Sequence, residues 1–283
     1  MDCQWTALVN VLPLWLREYV NGLRFKYVQE IRLRVGMTPT LICKDQKIQL
    51  QRVVVKEDLE FCINAASRYS PWTSQTIKKG FVTVAGGHRI GICGTAAIEN
   101  GIVSSIREIS SLCIRVARQF PGIGRPAGDI QGNILILGRP GSGKSTLLRD
   151  IIRCKSEMGS TVCVVDERQE LFPCVGGIPC FSCGANTDIL SGYPKAQGID
   201  MAIRLMNPHI IAMDEVTARE DCDALINAGW CGISLLATAH AAGVKDYLER
   251  PIYKPLVESR LFETVCVLQM DKSWRTERVQ YGN

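Results

Sequence analysis

A chain of 283 residues exceeds one typical domain, and 46% hydrophobic residues suffice for two packed cores. The 33 basic and 28 acidic residues leave a net charge of +5, which by itself argues no more for nucleic acid than for an acidic lipid surface. Thirteen scattered cysteines, an N-terminus without a basic leader and a first apolar run broken by Asn10 and Pro13 exclude a disulfide framework, a secretory signal and a membrane span.

In chain order, Trp5, Leu8, Val9, Leu12, Leu16 and Val20 recur at helical spacing, predicting helix from residue 1 to about 30 with a break at Pro13. EIRLRVG and TPTLICKDQKIQL follow as strands, the first with Ile31, Leu33 and Val35 inward and Arg32 and Arg34 outward. A helix is expected over Lys56 to Tyr69. Several short strands are then expected through Arg118, with hairpin turns at Gly86-Gly87 and Asn100-Gly101. The first half therefore reads as an α+β domain over 1–120. PGIGRPAGDIQG, with four glycines and two prolines, is read as a linker over 121–132, leaving 133–283 as the second domain.

The second domain opens on NILILGRPGSGKSTLLRDII. Ile134 to Leu137 form a buried strand, and Leu147, Leu148, Ile151 and Ile152 mark the core face of a helix. Between them, Gly138 to Ser145 fits GxxxxGKS at every fixed position, in the strand–loop–helix context the motif requires. Gly138, Gly141 and Gly143 free the backbone to turn its N–H groups around an anion, and Arg139, Pro140 and Ser142 complete the loop. Lys144 is a compact cation for the β- and γ-phosphates, Ser145 a hydroxyl for Mg²⁺, and Thr146 a donor for the α-phosphate. The bland reading, a chance glycine turn before a helix, explains neither flank. This is a nucleotide site, with ATP and Mg²⁺ as the expected ligands.

Beyond it, TVCVVDE, HIIAMDE and ISLLATAH read as strands alternating with helices over about Lys195 to Met206 and REDCDALINAGW, and ETVCVLQM and the WRTERVQY end as closing strands. Residues 167–194 read as irregular. Such alternation implies an α/β fold with a mainly parallel sheet and ligands outside the carboxyl ends of its strands. The candidate polar residues all fall there. Asp214 is placed for the Mg²⁺ hydration shell and Glu215 to deprotonate an attacking water, two neighbours on a strand facing opposite ways. Glu167 and His240 are candidates for positioning water and sensing the γ-phosphate, against a solvated acid and a structural histidine. Cys174, Cys180 and Cys183 fall one ligand short of a zinc site, which favours reduced thiols.

GGHRIGICG, the phosphate loop, TDILSGYPKAQG, NPHIIAMDE and ATAHA occur in the order that resembles the family of stage III sporulation protein AA, related to the motor ATPases of type II and type IV secretion and pilus assembly. The resemblance implies a RecA-like P-loop ATPase domain behind a smaller N-terminal domain, working as a hexameric ring. It also implies a cytoplasmic, mother-cell-side position, peripheral at the membrane, against membrane-embedded channel proteins joining mother cell and forespore. Trans-acting arginines expected from a neighbouring subunit are Arg89, Arg107, Arg115 and Arg118. Asn186 departs from the family, standing where an arginine usually precedes the TD pair. The alternatives to an ATP-hydrolysing assembly motor are a nucleic-acid-dependent ATPase, for which no basic cluster of stacking aromatics speaks, and a non-hydrolysing nucleotide switch.

Overall fold

The computed structural model describes residues 4–22, 28–43, 46–67, 77 and 80–281. The chain forms two compact units, Met1–Gln119 with Cys174–Phe181, and Phe120–Pro173 with Ser182–Asn283.

In the first unit, helices α1 (Trp5–Val9) and α2 (Leu14–Gly22) part at Pro13. Proline has no N–H to continue α1, but its carbonyl accepts from the N–H groups of Leu16 and Arg17 at 2.9 and 3.0 Å and so starts α2. The helix expected to about residue 30 is therefore two short ones; residues 1–3 and 23–27 lie outside the described residues, and residue 28 already opens a strand. Strands β1 (Val28–Arg34), β2 (Thr40–Cys43) and β3 (Lys47–Gln49) form a meander, followed by helix α3 (Lys56–Ser67). Residues 68 and 69, the last of the expected helix, are also outside the described set. Ile31 and Leu33 are buried as the alternation requires. Val35 is exposed instead, because it lies beyond β1 in a lone bridge to Val54.

Strands β4 (Phe81–Val84), β5 (His88–Glu99) and β6 (Ile102–Arg115) complete a sheet of order β3-β2-β1-β6-β5-β4, antiparallel throughout. Instead of several short strands, β5 and β6 make one long hairpin, since Asn100 and Gly101 adopt φ of +53° and +76°, the pair that closes a two-residue turn. The core gathers Leu8, Leu12 and Leu16 against Leu59 of α3 and Ile31, Ile90 and Leu112 of the sheet.

The second unit runs through α4 (Arg125–Gly128), β7 (Ile134–Leu137), α5 (Lys144–Glu157) and β8 (Val162–Asp166). The two-residue strands β9 (Cys174–Val175) and β10 (Ile178–Pro179) pair within the segment that belongs to the first unit. Then follow β11 (Thr187–Ser191), α6 (Lys195–Met201), β12 (Ile210–Met213), α7 (Arg219–Trp230), β13 (Ser234–Ala239), α8 (Val244–Glu249), α9 (Lys254–Glu258), β14 (Thr264–Leu268) and β15 (Trp274–Arg278). The sheet order is β11-β8-β12-β13-β7-β14-β15, parallel except for the last strand. Every residue of β7, β8 and β12 is buried, as expected of a parallel sheet covered on both faces.

Two sequence readings change here. Residues 121–132, expected as a linker, are built into the second unit. The Asp150 carboxylate accepts the N–H groups of Gly122 and Gly124 at 2.8 and 2.7 Å, and Lys155 Nζ donates to the Ile130 carbonyl. Within 167–194, expected to be irregular, β11 is a further parallel strand, at the sheet's edge, that zips onto β8 from Thr187–Val162 to Ser191–Asp166. No described helix is long and apolar enough to cross a membrane.

Candidate functional site

The phosphate loop leaves β7 and enters α5. Gly141 and Gly143 hold φ of +73° and +105°, where an L side chain is strained, and Gly143 directly precedes the first helical residue, Lys144. Gly138 is needed for a different reason: a Cβ there would stand 2.5 Å from Ser142 Oγ. That hydroxyl is buried with no hydrogen-bond partner among the described residues. Arg139 and Pro140 are exposed on the loop, and Ser145 and Thr146 are half-buried at the start of α5, with its unpaired N–H groups. A cradle that a Cβ would fill, an orphaned hydroxyl and a lysine together fit a polyphosphate with Mg²⁺.

Lys144 is buried, and its ammonium donates to the carbonyls of Gly138 and Arg139 at 2.9 and 3.2 Å and lies 3.0 Å from His240 Nδ1. Burial holds its pKa below the ordinary lysine value, with Asp214 and Glu215 opposing. His240, one residue past β13, turns its other nitrogen, Nε2, to Glu215 Oε1 at 2.7 Å. Arg168 donates to Glu215 Oε2 at 3.1 Å. Lysine, histidine and glutamate are thus contiguous at one rim, drawn from the ends of β7, β13 and β12. The backbone N–H of His240 donates to the Tyr253 hydroxyl at 2.9 Å, a support that no motif signalled.

Asp214 and Glu215 both lie just past β12, and the hydroxyl of Thr238 ties them together. It donates to Asp214 Oδ1 at 2.6 Å and accepts the Glu215 N–H at 2.8 Å. The two carboxylates part for a reason other than strand alternation: Glu215 has φ of +57°, a left-handed turn costing roughly 1–2 kcal/mol in a non-glycine residue. A shallow hollow opens on the acidic side of the site, lined among others by Glu167, Arg168, Lys195, Asp214 and Glu215. Glu167 is half-exposed and stands 3.9 Å from the Lys195 ammonium, a distant ion pair.

The wall of that hollow is fixed from inside. Asp166 ends β8 and accepts three backbone N–H groups, of Glu170, Leu171 and Phe172, at 2.9, 3.0 and 2.8 Å. Burial pushes its carboxyl pKa up against those bonds. Arg149 of α5 donates to the carbonyls of Leu171 and Glu170 at 2.5 and 2.8 Å. Burial pushes its guanidinium down to about 10, with Asp166 and Asp214 opposing. Arg149 and Lys272, which donates to the Gly141 carbonyl from the β14–β15 turn, escaped the sequence reading because neither belongs to a spacing pattern.

The remaining candidates fall elsewhere. Arg89, Arg107, Arg115 and Arg118 all belong to the first unit. The Arg89 guanidinium lies 3.9 Å from the Phe81 ring centroid, and Arg118 donates to the Val28 carbonyl, whereas Arg107 and Arg115 are exposed. Cys174 and Cys180 are in the first unit and Cys183 in the second. Among the described residues no group of three or more His, Cys, Asp or Glu side chains is arranged to hold a metal ion. Mg²⁺ bound through phosphates needs only one or two protein ligands. Asn186 precedes β11 at its amino end, away from the phosphate loop, where its N–H and side-chain amide bond the Ser156 hydroxyl and carbonyl at 2.8 and 2.9 Å.

The family model described as "Sporulation stage III, protein AA" matches residues 5–282. Stage III sporulation protein AA of Bacillus subtilis is 38% identical over 279 residues, 94% of this chain and 91% of that protein. Among solved structures, the pilus retraction motor PilT with bound ADP superposes with a TM-score of 0.60 at 16% identity, covering 88% of this chain and 76% of that one. The Legionella pneumophila ATPase DotB gives 0.54 at 16% identity, covering 94% and 80%. At such identities the likeness is one of fold, a RecA-like α/β fold behind a smaller sheet domain.

Proposed function

The chain belongs to the sporulation stage III, protein AA family, and from that premise we propose that it is an ATP-hydrolysing motor of a secretion-like sporulation channel complex. The observation that carries the reading is the contact chain Lys144–His240–Glu215 at one rim of the parallel sheet. It puts a phosphate-binding cation and a candidate base within one side chain of each other. Phosphoryl transfer asks a protein chiefly for positioning and charge stabilisation, which is what this rim provides.

In this reading the loop N–H groups and Lys144 bind the β- and γ-phosphates, and the lysine exchanges its carbonyl partners and His240 for phosphate oxygens. Ser145 and Asp214 hold Mg²⁺, which neutralises charge on the phosphates when bound. Glu215 takes the proton of the attacking water, and His240, released from Lys144, is set to face the γ-phosphate. Glu167 orders water at the edge of the hollow. Arg107 and Arg115, exposed on the first unit, are the arginines best suited to reach a neighbouring subunit's phosphates in a hexameric ring at the cytoplasmic face of the membrane.

Lys144→Ala is expected to abolish nucleotide binding. Glu215→Gln should bind ATP and stop turnover, so a Glu215→Gln protein that hydrolyses at the native rate overturns the assignment. Trans completion predicts activity per subunit that climbs with protein concentration, and an arginine in trans contributes on the order of 10³ or more in rate.

A further inference from the structure

The left-handed turn at Glu215 is built, and one of its builders is a buried lysine outside the phosphate loop. Lys195, the first residue of α6, is almost fully buried. Its ammonium donates to the Glu215 backbone carbonyl at 2.6 Å, to Thr217 Oγ1 at 2.9 Å and to Asp221 Oδ2 at 3.3 Å. Three acceptors match the three donors of an ammonium group. The Asp221 carboxylate, buried at the start of α7, balances the charge and also accepts the N–H groups of Thr217 and Ala218 at 2.8 and 3.1 Å.

Both backbone polar groups of Glu215 therefore end on side chains, the N–H on Thr238 and the carbonyl on Lys195. With φ at +57°, the residue is held in its left-handed conformation from both sides of its backbone. A lysine needed only to anchor α6 would not have to bury its charge against that particular carbonyl. Burying an ammonium is costly unless it is fully paired, so its place in the fold asks for a reason.

We infer that Lys195 is a positioning residue for Glu215: by gripping the Glu215 carbonyl it fixes the left-handed turn that aims the carboxylate at His240 and Arg168. The inference rests on Glu215 being the base of the proposed hydrolysis. Lys195 touches no phosphate in this scheme. Its loss leaves the Lys144 cradle intact and lets the Glu215 peptide relax toward ordinary backbone angles, carrying the carboxylate away from the water it must deprotonate.

The test is a double-mutant cycle on the full chain, with ATP binding and single-turnover hydrolysis measured separately. Lys195→Met should bind ATP as the native chain does and lose about tenfold to a hundredfold in kcat, the scale for a misplacement of about an ångström. Glu215→Gln stops steady turnover but leaves a slow residual single-turnover rate, and in that background Lys195→Met should lower the residual rate no further. Lys195→Met strands Asp221 without its counter-charge; if it does not fold, Lys195→Met with Asp221→Asn removes both charges and reads the same quantities. Native kcat in the lysine variant, weakened ATP binding, or full losses multiplying in the Glu215→Gln background each overturn the positioning role. Undiminished hydrolysis by Glu215→Gln alone overturns the base assignment instead, so the two failures are distinct.

Discussion

The two units bury charge in different amounts and for different ends. Among the described residues the second buries Lys144, Asp150, Lys155, Asp166, Lys195 and Asp221, and the first only Asp58 and His88. The first unit's antiparallel sheet follows hydrophobic alternation, which leaves its arginines to the outer face. The second unit's central strands are apolar through and through, so polar chemistry has only the strand ends. There almost every buried charge clamps a loop: Asp150 the stretch before β7, Asp166 the turn after β8, Asp221 the entry to α7. The first unit is shaped by apolar packing, whereas the candidate site is shaped by buried charges holding backbone.

Removing one such clamp is the strongest way to break this contrast. Asp166→Ala leaves three N–H groups unpaired beside the buried Arg149, and a loss of about 3–5 kcal/mol in denaturant-induced unfolding is expected. In the first unit, Asp58 accepts the Trp15 indole N–H at 2.9 Å and the Val55 N–H at 3.0 Å at the start of α3. Asp58→Ala is expected to cost only about 1–2 kcal/mol, as for the loss of a helix cap. Equal losses at the two aspartates would erase the distinction.

The smallest effect concerns pH. His88 is fully buried, with Nε2 3.0 Å from the Gln4 carbonyl and Nδ1 accepting the Ala117 N–H at 3.1 Å, so protonation at Nδ1 breaks a bond. Burial holds its pKa below the ordinary value of 6.5, the Gln4 carbonyl opposing and the Arg118 charge adding to the effect. Below that value the unfolded chain binds more protons than the folded one, so the stability His88 contributes is whole above it and is lost as the pH falls through the lowered pKa. Amide protection in the first unit, corrected for the intrinsic pH dependence of exchange, should fall from pH 7 to pH 5, and His88→Gln should flatten that response. An unchanged slope would show that the imidazole is not the titrating group.

Much of this was legible in the sequence, and the pattern of what was missed is physical. The strand–loop–helix around Lys144, the apolar strands before Asp166, Asp214 and His240, and the break at Pro13 each rest on local chemistry, glycine, proline or an unbroken apolar run. β11 was missed because TDILS is a short edge strand whose pairing to β8 is non-local and whose residues are only half-buried. The linker reading failed because glycine also permits close approach: a Cβ at Gly124 would stand 2.6 Å from the Ile151 nitrogen. Arg149, Lys195 and Lys272 were invisible because a buried cation bonding a distant carbonyl leaves no periodicity behind.

The short hairpin Cys174–Phe181 carries a consequence for how the protein is made. Its last residue, Phe181, packs so closely on Gly87 that a Cβ there would lie 2.7 Å from the ring. A ribosome delivers the chain amino end first, so the first unit waits for its final piece until β7, α5 and β8 have emerged. Translation therefore interleaves the two units instead of finishing them one after the other, and a fragment that stops at residue 119 is born with a ring-sized gap over Gly87.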